Sequence, residues 1–216
     1  MSSTTSAMRR TLKSVARLVA LVAVSPAALL SGIERRCSAN AEGWFCLFAQ
    51  LFALIPGYAG VVMRRAFYEL TLDGCSPNCF IGFGSLFTHR RVRVGDSVSI
   101  GSYTLIGCAT LGRGSLIGSR ASLLSGPALH EPNDAVGWTP FNPSKLRQIH
   151  IGEESWIGEG AVVIADMGAR SMAAAGSVVS APVRAGVMVA GNPARFVRRV
   201  HTVDADGVIA GAGGAA

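Results

Sequence analysis

Val94-Gly95-Asp96-Ser97-Val98-Ser99-Ile100-Gly101-Ser102-Tyr103-Thr104-Leu105-Ile106-Gly107 places an aliphatic residue followed by glycine every six residues. Three positions after each glycine stands a small or β-branched residue: Val98, Thr104, Thr110. Leu111-Gly112 with Ser115 comes one residue early, and Ile117-Gly118 with Ala121 restores the step. Ile151-Gly152 with Ser155 and Ile157-Gly158 with Ala161 resume it, and Ile81-Gly82 with Ser85 fits upstream. A fixed short period marks stacked structural repeats. Each hexad makes one short strand and one sharp corner against identical neighbours. The aliphatic residue is expected to point inward and form a ladder from coil to coil. Glycine next to it is expected to permit a corner that a Cβ would resist, and the fifth residue to suit a tapering interior and extended backbone. Three flats close one triangular coil, so the reading is a mainly β chain built as a parallel β-helix. Strands of a sandwich or barrel vary in length and turn type; this hexad does not.

The repeat breaks between Ser125 and Gln148. A loop inserted into a solenoid leaves from one corner and can reach a neighbouring subunit without disturbing the stack. This one contains Ser125-Gly126-Pro127-Ala128-Leu129-His130-Glu131-Pro132-Asn133-Asp134.

Residues ahead of the repeat are different in kind. Mean hydropathy is +0.39 with only 15% charged residues, and the apolar excess lies in the first third. Leu18 to Ile33 carries no charge and contains Pro26; Gly43 to Met63 carries none and contains Pro56-Gly57. A spanning helix needs ~20 apolar residues, so the second run is long enough and the first marginal. Proline and glycine near its middle favour a kinked or re-entrant element. A cleaved signal peptide competes for the first run, but Pro26 and the second apolar run argue against it. The expectation is an N-terminal apolar helical hairpin in contact with a membrane, with a soluble helical hairpin packed on its own trimer as the alternative.

The division of the chain follows: a basic segment at 1–14, an apolar helical, membrane-associated region at 15–72, the β-helix at 73–200 with its inserted loop at 125–148, and a Gly/Ala-rich tail at 201–216 expected to be disordered. Twenty Lys and Arg against thirteen Asp and Glu give a net charge of +7. Such a balance suits nucleic acid, an anionic surface or an anionic cofactor. No basic face interleaved with aromatics is visible, which argues against nucleic acid. Five cysteines without CxxC spacing indicate neither a disulfide framework nor a zinc ribbon, and no metal is expected.

The hexads, together with the ending Ala190-Gly191-Asn192-Pro193-Ala194-Arg195-Phe196-Val197-Arg198-Arg199, resemble the hexapeptide-repeat acyltransferases. The segment around His130 is similar to the active-site loop of their xenobiotic, maltose and polysaccharide O-acetyltransferase branch. The resemblance implies a left-handed β-helix, a homotrimer with its site between protomers, and acetyl-CoA as acyl donor without a metal. It implies that His130 is the general base, a role suited to an imidazole near neutral pH. Glu131 or Asp134 is a candidate to orient the ring, and a backbone N–H near Gly158 or in the loop to receive the oxyanion. Trp156 is expected to wall the thioester pocket, backbone groups at Ala175, Gly176 and Ser177 to meet the pantetheine arm, and Arg195, Arg198 and Arg199 to hold phosphates. His89 and His150 raise a zinc enzyme of the same fold, but the closely spaced histidine pair of such a site is missing.

The functional expectation is an O-acetyltransferase for a sugar hydroxyl of a glycan or lipid-linked saccharide, at the cytoplasmic face of the membrane or in the cytoplasm. An N-acetyltransferase of an amino sugar and a non-catalytic, membrane-anchored trimeric scaffold are the alternatives.

Overall fold

The computed structural model describes residues 2–38, 40–126, 129–134 and 137–200; the tail expected to be disordered, with His201, lies outside them. The hexads build three parallel sheets that form the faces of a triangular prism. The first sheet holds Gly74–Cys75, Val92–Val94, Ala109–Leu111 and Ile149–Ile151. The second holds Phe80–Ile81, Ser99–Ile100, Leu116–Ile117, Trp156–Ile157, Met172–Ala173 and Val187–Gly191, closed by the antiparallel strand Ala194–Arg199. The third holds Leu86–Phe87, Leu105–Ile106, Ser122–Leu123, Val162–Val163 and Val178–Val179.

Register follows the sequence period. Ile81, Ile100, Ile117, Ile157, Ala173 and Val189 stand in line on the inner side of the second sheet. Phe87, Ile106, Leu123, Val163 and Val179 do the same on the third, and all are buried. The step of six is thus a stack of buried apolar side chains in register, whose removal from water stabilises the prism.

The glycine after each aliphatic residue serves a purpose other than the one expected. It is the fourth residue of the hexad that turns left-handed, and Ser97, Tyr103, Arg120, Glu154 and Arg170 all do so with φ of 55–58°. The second-position glycine is needed because the next coil lies against it. A Cβ on Gly152 would sit 2.3 Å from the Ala169 nitrogen, and one on Gly101 2.5 Å from that of Ser119. The buried fifth residue has a polar task as well: Ser155 Oγ donates to the Gly168 carbonyl at 2.8 Å and Ser177 Oγ to that of Ala174 at 2.7 Å, tying down the corner.

Three helices precede the prism: α1 (Ser2–Cys37), α2 (Gly43–Ala53) and α3 (Gly57–Thr71). The helix α1 runs unbroken through the expected boundary at 14/15 and through Pro26. Proline removes the N–H that would reach the Val22 carbonyl, and Ser25 Oγ takes that acceptor at 2.8 Å instead. The first apolar run is therefore the long one: Thr11–Cys37 is long and apolar enough to cross a membrane by length and composition. The second run, long enough to span by length and expected to kink at Pro56-Gly57, splits there into α2 and α3. Buried Arg64 stabilises the split by donating to the carbonyls of Phe52, Ala53 and Ile55 at the end of α2 and to Ile81 in the first coil.

Aromatic side chains join helices to prism. Phe67 packs on Phe52 with ring centroids 5.0 Å apart, and Tyr68 meets Phe87 edge-on at 4.6 Å. Beside them Arg90, almost wholly buried, donates to the carbonyl of Ala41 at 2.7 Å, to that of Ser31 at 3.0 Å and to Glu34 at 2.6 Å. Its guanidinium lies 5.1 Å over the Phe45 ring. One side chain thus locks α1, the connector and α2 onto the first coils.

Candidate active site

The inserted loop leaves the edge between the third sheet and the first, after Leu123, and returns at Ile149. Its mouth is closed by Arg147 N–H donating to the Ser125 carbonyl at 2.7 Å. Within it, Pro132–Asn133 and Gly137–Trp138 pair antiparallel as a small hairpin. Thr139 continues the pairing: its N–H donates to the Glu131 carbonyl, and its Oγ1 accepts from the Glu131 N–H, both at 2.9 Å.

His130 stands at the base of this hairpin. Its Nδ1 is 2.8 Å from the Thr139 carbonyl oxygen. A carbonyl can only accept, so Nδ1 carries the hydrogen, and in the neutral ring Nε2 is left with a lone pair. That is the state a general base requires. The ring is exposed in the single protomer and lies 6.5 Å from Phe141, centroid to centroid.

Neither carboxylate proposed to orient the ring does so. Glu131 is engaged in an ion pair with Lys145, and Asp134 is exposed in the hairpin turn. Backbone took the role instead, a contact that depends on hairpin register and leaves no mark in residue type.

His89, for which a surface position was expected, is instead half-buried beside the loop. The His89 ring also neighbours Phe141, nearly parallel to it with centroids 6.4 Å apart. His89 Nδ1 is 2.6 Å from Glu42, whose other oxygen accepts the Arg90 N–H at 2.8 Å. Burial pushes the Glu42 carboxyl up, but hydrogen bonds from His89 and the Arg90 backbone, with the charges of both residues, hold it below the usual carboxylate range. His89 lines two cavities, one of about 90 Å³ with Glu42, Arg91 and Phe141 and one of about 140 Å³ with Ser125, Gly126 and Leu129. The signal in the sequence was Thr88-His89-Arg90-Arg91, a polar cluster between two hexads; its partner is forty-seven residues away.

The residues proposed for the cofactor divide between two edges of the prism. Ala175 and Gly176 form the corner between the second and third sheets. Gly176 N–H already donates to the Glu159 carbonyl at 2.8 Å, and Ser177 is buried with its N–H on Ala174; the Ala175 N–H has no hydrogen bond among the described residues. The N–H of Gly158 itself is engaged, donating to the Ala173 carbonyl within the ladder at 2.8 Å. Trp156 stands outward on the second sheet, half exposed, in line with Phe80, Leu116 and Met172. Arg195 and Arg199 line a groove of about 430 Å³ at the far end of the prism, with Arg184, Val183 and Phe196. Arg198 lies apart from it, in register with Met188 on the Trp156 side.

Cys75 and Cys79 bring their sulfurs within 3.7 Å of one another. Among the described residues, no group of three or more His, Cys, Asp or Glu is placed to hold a metal.

No protein-family model matches the chain. Solved structures do. A maltose O-acetyltransferase from Clostridium difficile 630 superimposes with a TM-score of 0.63 at 14% identity, over 80% of this chain and 89% of that one. A galactoside acetyltransferase in complex with coenzyme A gives 0.60 at 19% identity, over 76% and 87%. A hexapeptide-repeat acetyltransferase from Vibrio cholerae gives 0.55 at 21% identity, over 73% and 90%. The likeness establishes the architecture: a left-handed parallel β-helix of hexapeptide repeats, the fold of these acetyltransferases.

Proposed function

We propose that the chain is an acetyl-CoA-dependent O-acetyltransferase that acylates a sugar hydroxyl, with His130 as general base. The observation that carries this reading is the hydrogen bond from His130 Nδ1–H to the Thr139 carbonyl, which leaves Nε2 free to accept a proton. Among the similar structures are a maltose O-acetyltransferase and a galactoside acetyltransferase in complex with coenzyme A, which supports a sugar acceptor and that donor.

Acetyl-CoA supplies an activated thioester. His130 Nε2 takes the acceptor's hydroxyl proton as the oxygen attacks the thioester carbon, and the same proton leaves with the departing thiolate when the C–S bond breaks. The protein needs no covalent intermediate, because both substrates react in one ternary complex. The groove at the prism's end fits the donor's chemistry: Arg184, Arg195 and Arg199 meet phosphates, and Val183, Val187 and Phe196 offer apolar surface.

The reading includes a homotrimer. His130 and the Ala175–Gly176 corner sit on different edges of one prism, so a site using both is completed by a second copy. The exposed apolar line Phe80, Leu116 and Trp156 on the second sheet gives such a copy a surface to cover.

The test is coenzyme A release from acetyl-CoA with a panel of neutral and amino sugars, the products being analysed by mass and by alkaline lability. Base-labile esters from hydroxyl acceptors support O-transfer. Stable amides formed only with amino sugars would replace it by N-transfer, and no acetyl-CoA binding at all would leave a scaffold.

A further inference from the structure

Helix α1 is amphipathic in the opposite sense to a helix on a soluble surface. Its buried stripe is small and partly polar: Ala20, Val24, Ala27 and Ser31. Three of its charged residues are tied to that inner side. Arg17 pairs with Glu69 of α3, Arg35 donates to Asp73 at 2.8 Å, and Glu34 accepts from Arg90 at 2.6 Å. Outward stand Leu12, Val15, Leu18, Val22, Leu29 and Ile33, each between 49% and 69% exposed. A surface helix of a soluble domain turns its apolar stripe to the core and its charges to water.

Helix α2 repeats the pattern without a single charge. Phe45, Ala49 and Ala53 are buried, while Trp44, Leu47, Leu51 and Leu54 are exposed. Both helices pack against α3 and touch one another. Scattered surface apolar side chains are ordinary; two adjacent helices with largely apolar outer stripes call for a partner.

The ion pairs decide how that partner is met. Arg17 and Arg35 are separated by about 27 Å of helix, nearly the ~30 Å of a bilayer core, and both are bonded to the layer beneath α1. Crossing the bilayer would either tear α1 from α3 or carry these pairs and Arg90 into hydrocarbon. The helix is therefore fixed to lie along a surface.

Charge names the surface. Residues 1–72 hold eight Arg and Lys against three Glu, and all three glutamates are spent internally, on Arg90, His89 and Arg17. Lys13 and Arg36 are exposed without an acidic partner among the described ion pairs. Exposed Trp44 and Tyr58 are rings of the kind that settle at headgroup level.

We infer that α1 and α2 lie in the plane of an anionic lipid bilayer, with their outer stripes at the headgroup and acyl boundary and the β-helix held on the aqueous side. This docking is independent of the acetyl-transfer reading.

Flotation of the full-length protein with vesicles of phosphatidylcholine and phosphatidylglycerol in equal parts tests it, beside vesicles of phosphatidylcholine alone. The protein floats with the anionic vesicles, less with the neutral ones, and is released by alkaline carbonate. The double variant Val22→Glu/Leu29→Glu, altered only at exposed positions, stays unbound with an unchanged circular dichroism spectrum. Should that variant misfold, Lys13→Glu/Arg36→Glu is read instead, with flotation on anionic vesicles falling to the neutral level. Wild type that does not float overturns the inference, as does binding that survives carbonate, which means a spanning helix. A double variant that floats normally but loses self-association overturns it too, since the face then belongs to a second copy.

Discussion

The carbonyl oxygen of Thr139 holds His130 by Nδ1 at 2.8 Å, so the backbone of a small hairpin fixes which ring nitrogen is basic. The Thr139 side chain secures that hairpin by accepting the Glu131 N–H. Thr139→Val keeps the carbonyl and removes the clamp. We expect kcat to fall by up to ~10²-fold, the cost of a small misplacement of a catalytic group, with the KM for acetyl-CoA unchanged. Steady-state kinetics with both substrates varied check this.

Arg90 is the side chain on which the junction of helices and prism depends. Arg90→Met removes bonds to Ala41, Ser31 and Glu34 and leaves the Glu34 carboxylate without its cation. Breaking one side of a buried pair costs about 3–5 kcal/mol. Urea unfolding should show that loss, and Glu34→Gln combined with Arg90→Met should recover part of it.

The pH dependence of stability should carry the mark of Glu42. Its folded carboxyl lies below the ordinary range, so the stability it contributes is fully present above the unfolded value of about 4.3 and disappears as pH falls through the lower folded value. Glu42→Gln should therefore cost about 1–3 kcal/mol near neutrality and progressively less in acid. Denaturant titrations of both proteins across pH 3 to 7 read the difference, with ~1.4 kcal/mol per unit as the limiting slope for one proton.

Two glycines separate coil stacking from corner geometry. Gly152→Ala drives a methyl into the Ala169 backbone and should cost ~3 kcal/mol as overpacking. Gly160→Ala faces open space at φ +65°, a conformation Glu154 and Arg170 already adopt at equivalent corners, and should cost only ~1 kcal/mol. Equal losses in thermal unfolding would contradict the assignment of the second-position glycine to close stacking.

The hexads from Ile81 to Ala161 made the solenoid legible because each buried residue has the same neighbours above and below, so local pattern and tertiary contact coincide. The break at Ser125 likewise marked the loop and His130. What stayed hidden depends on contacts without a period. The Thr139 carbonyl is backbone and has no signature. Glu42 and His89 meet only because Arg90 folds the connector onto the first coil. Pro56-Gly57 marked a kink in the charge-free run from Gly43 to Met63, but not that buried Arg64, placed just beyond the run, would cap the break. Nor does residue type tell which backbone N–H groups are already engaged, as those of Gly158 in the ladder and Ser177 in its corner are.

The base assignment is tested most directly by comparing wild type with His130→Ala in acetyl transfer, measured as coenzyme A release with a sugar acceptor. The account predicts a fall in kcat of roughly 10²–10⁴-fold, with acetyl-CoA affinity and the far-UV spectrum unchanged. Turnover by His130→Ala at the wild-type rate would contradict it and move the search for the base to His89.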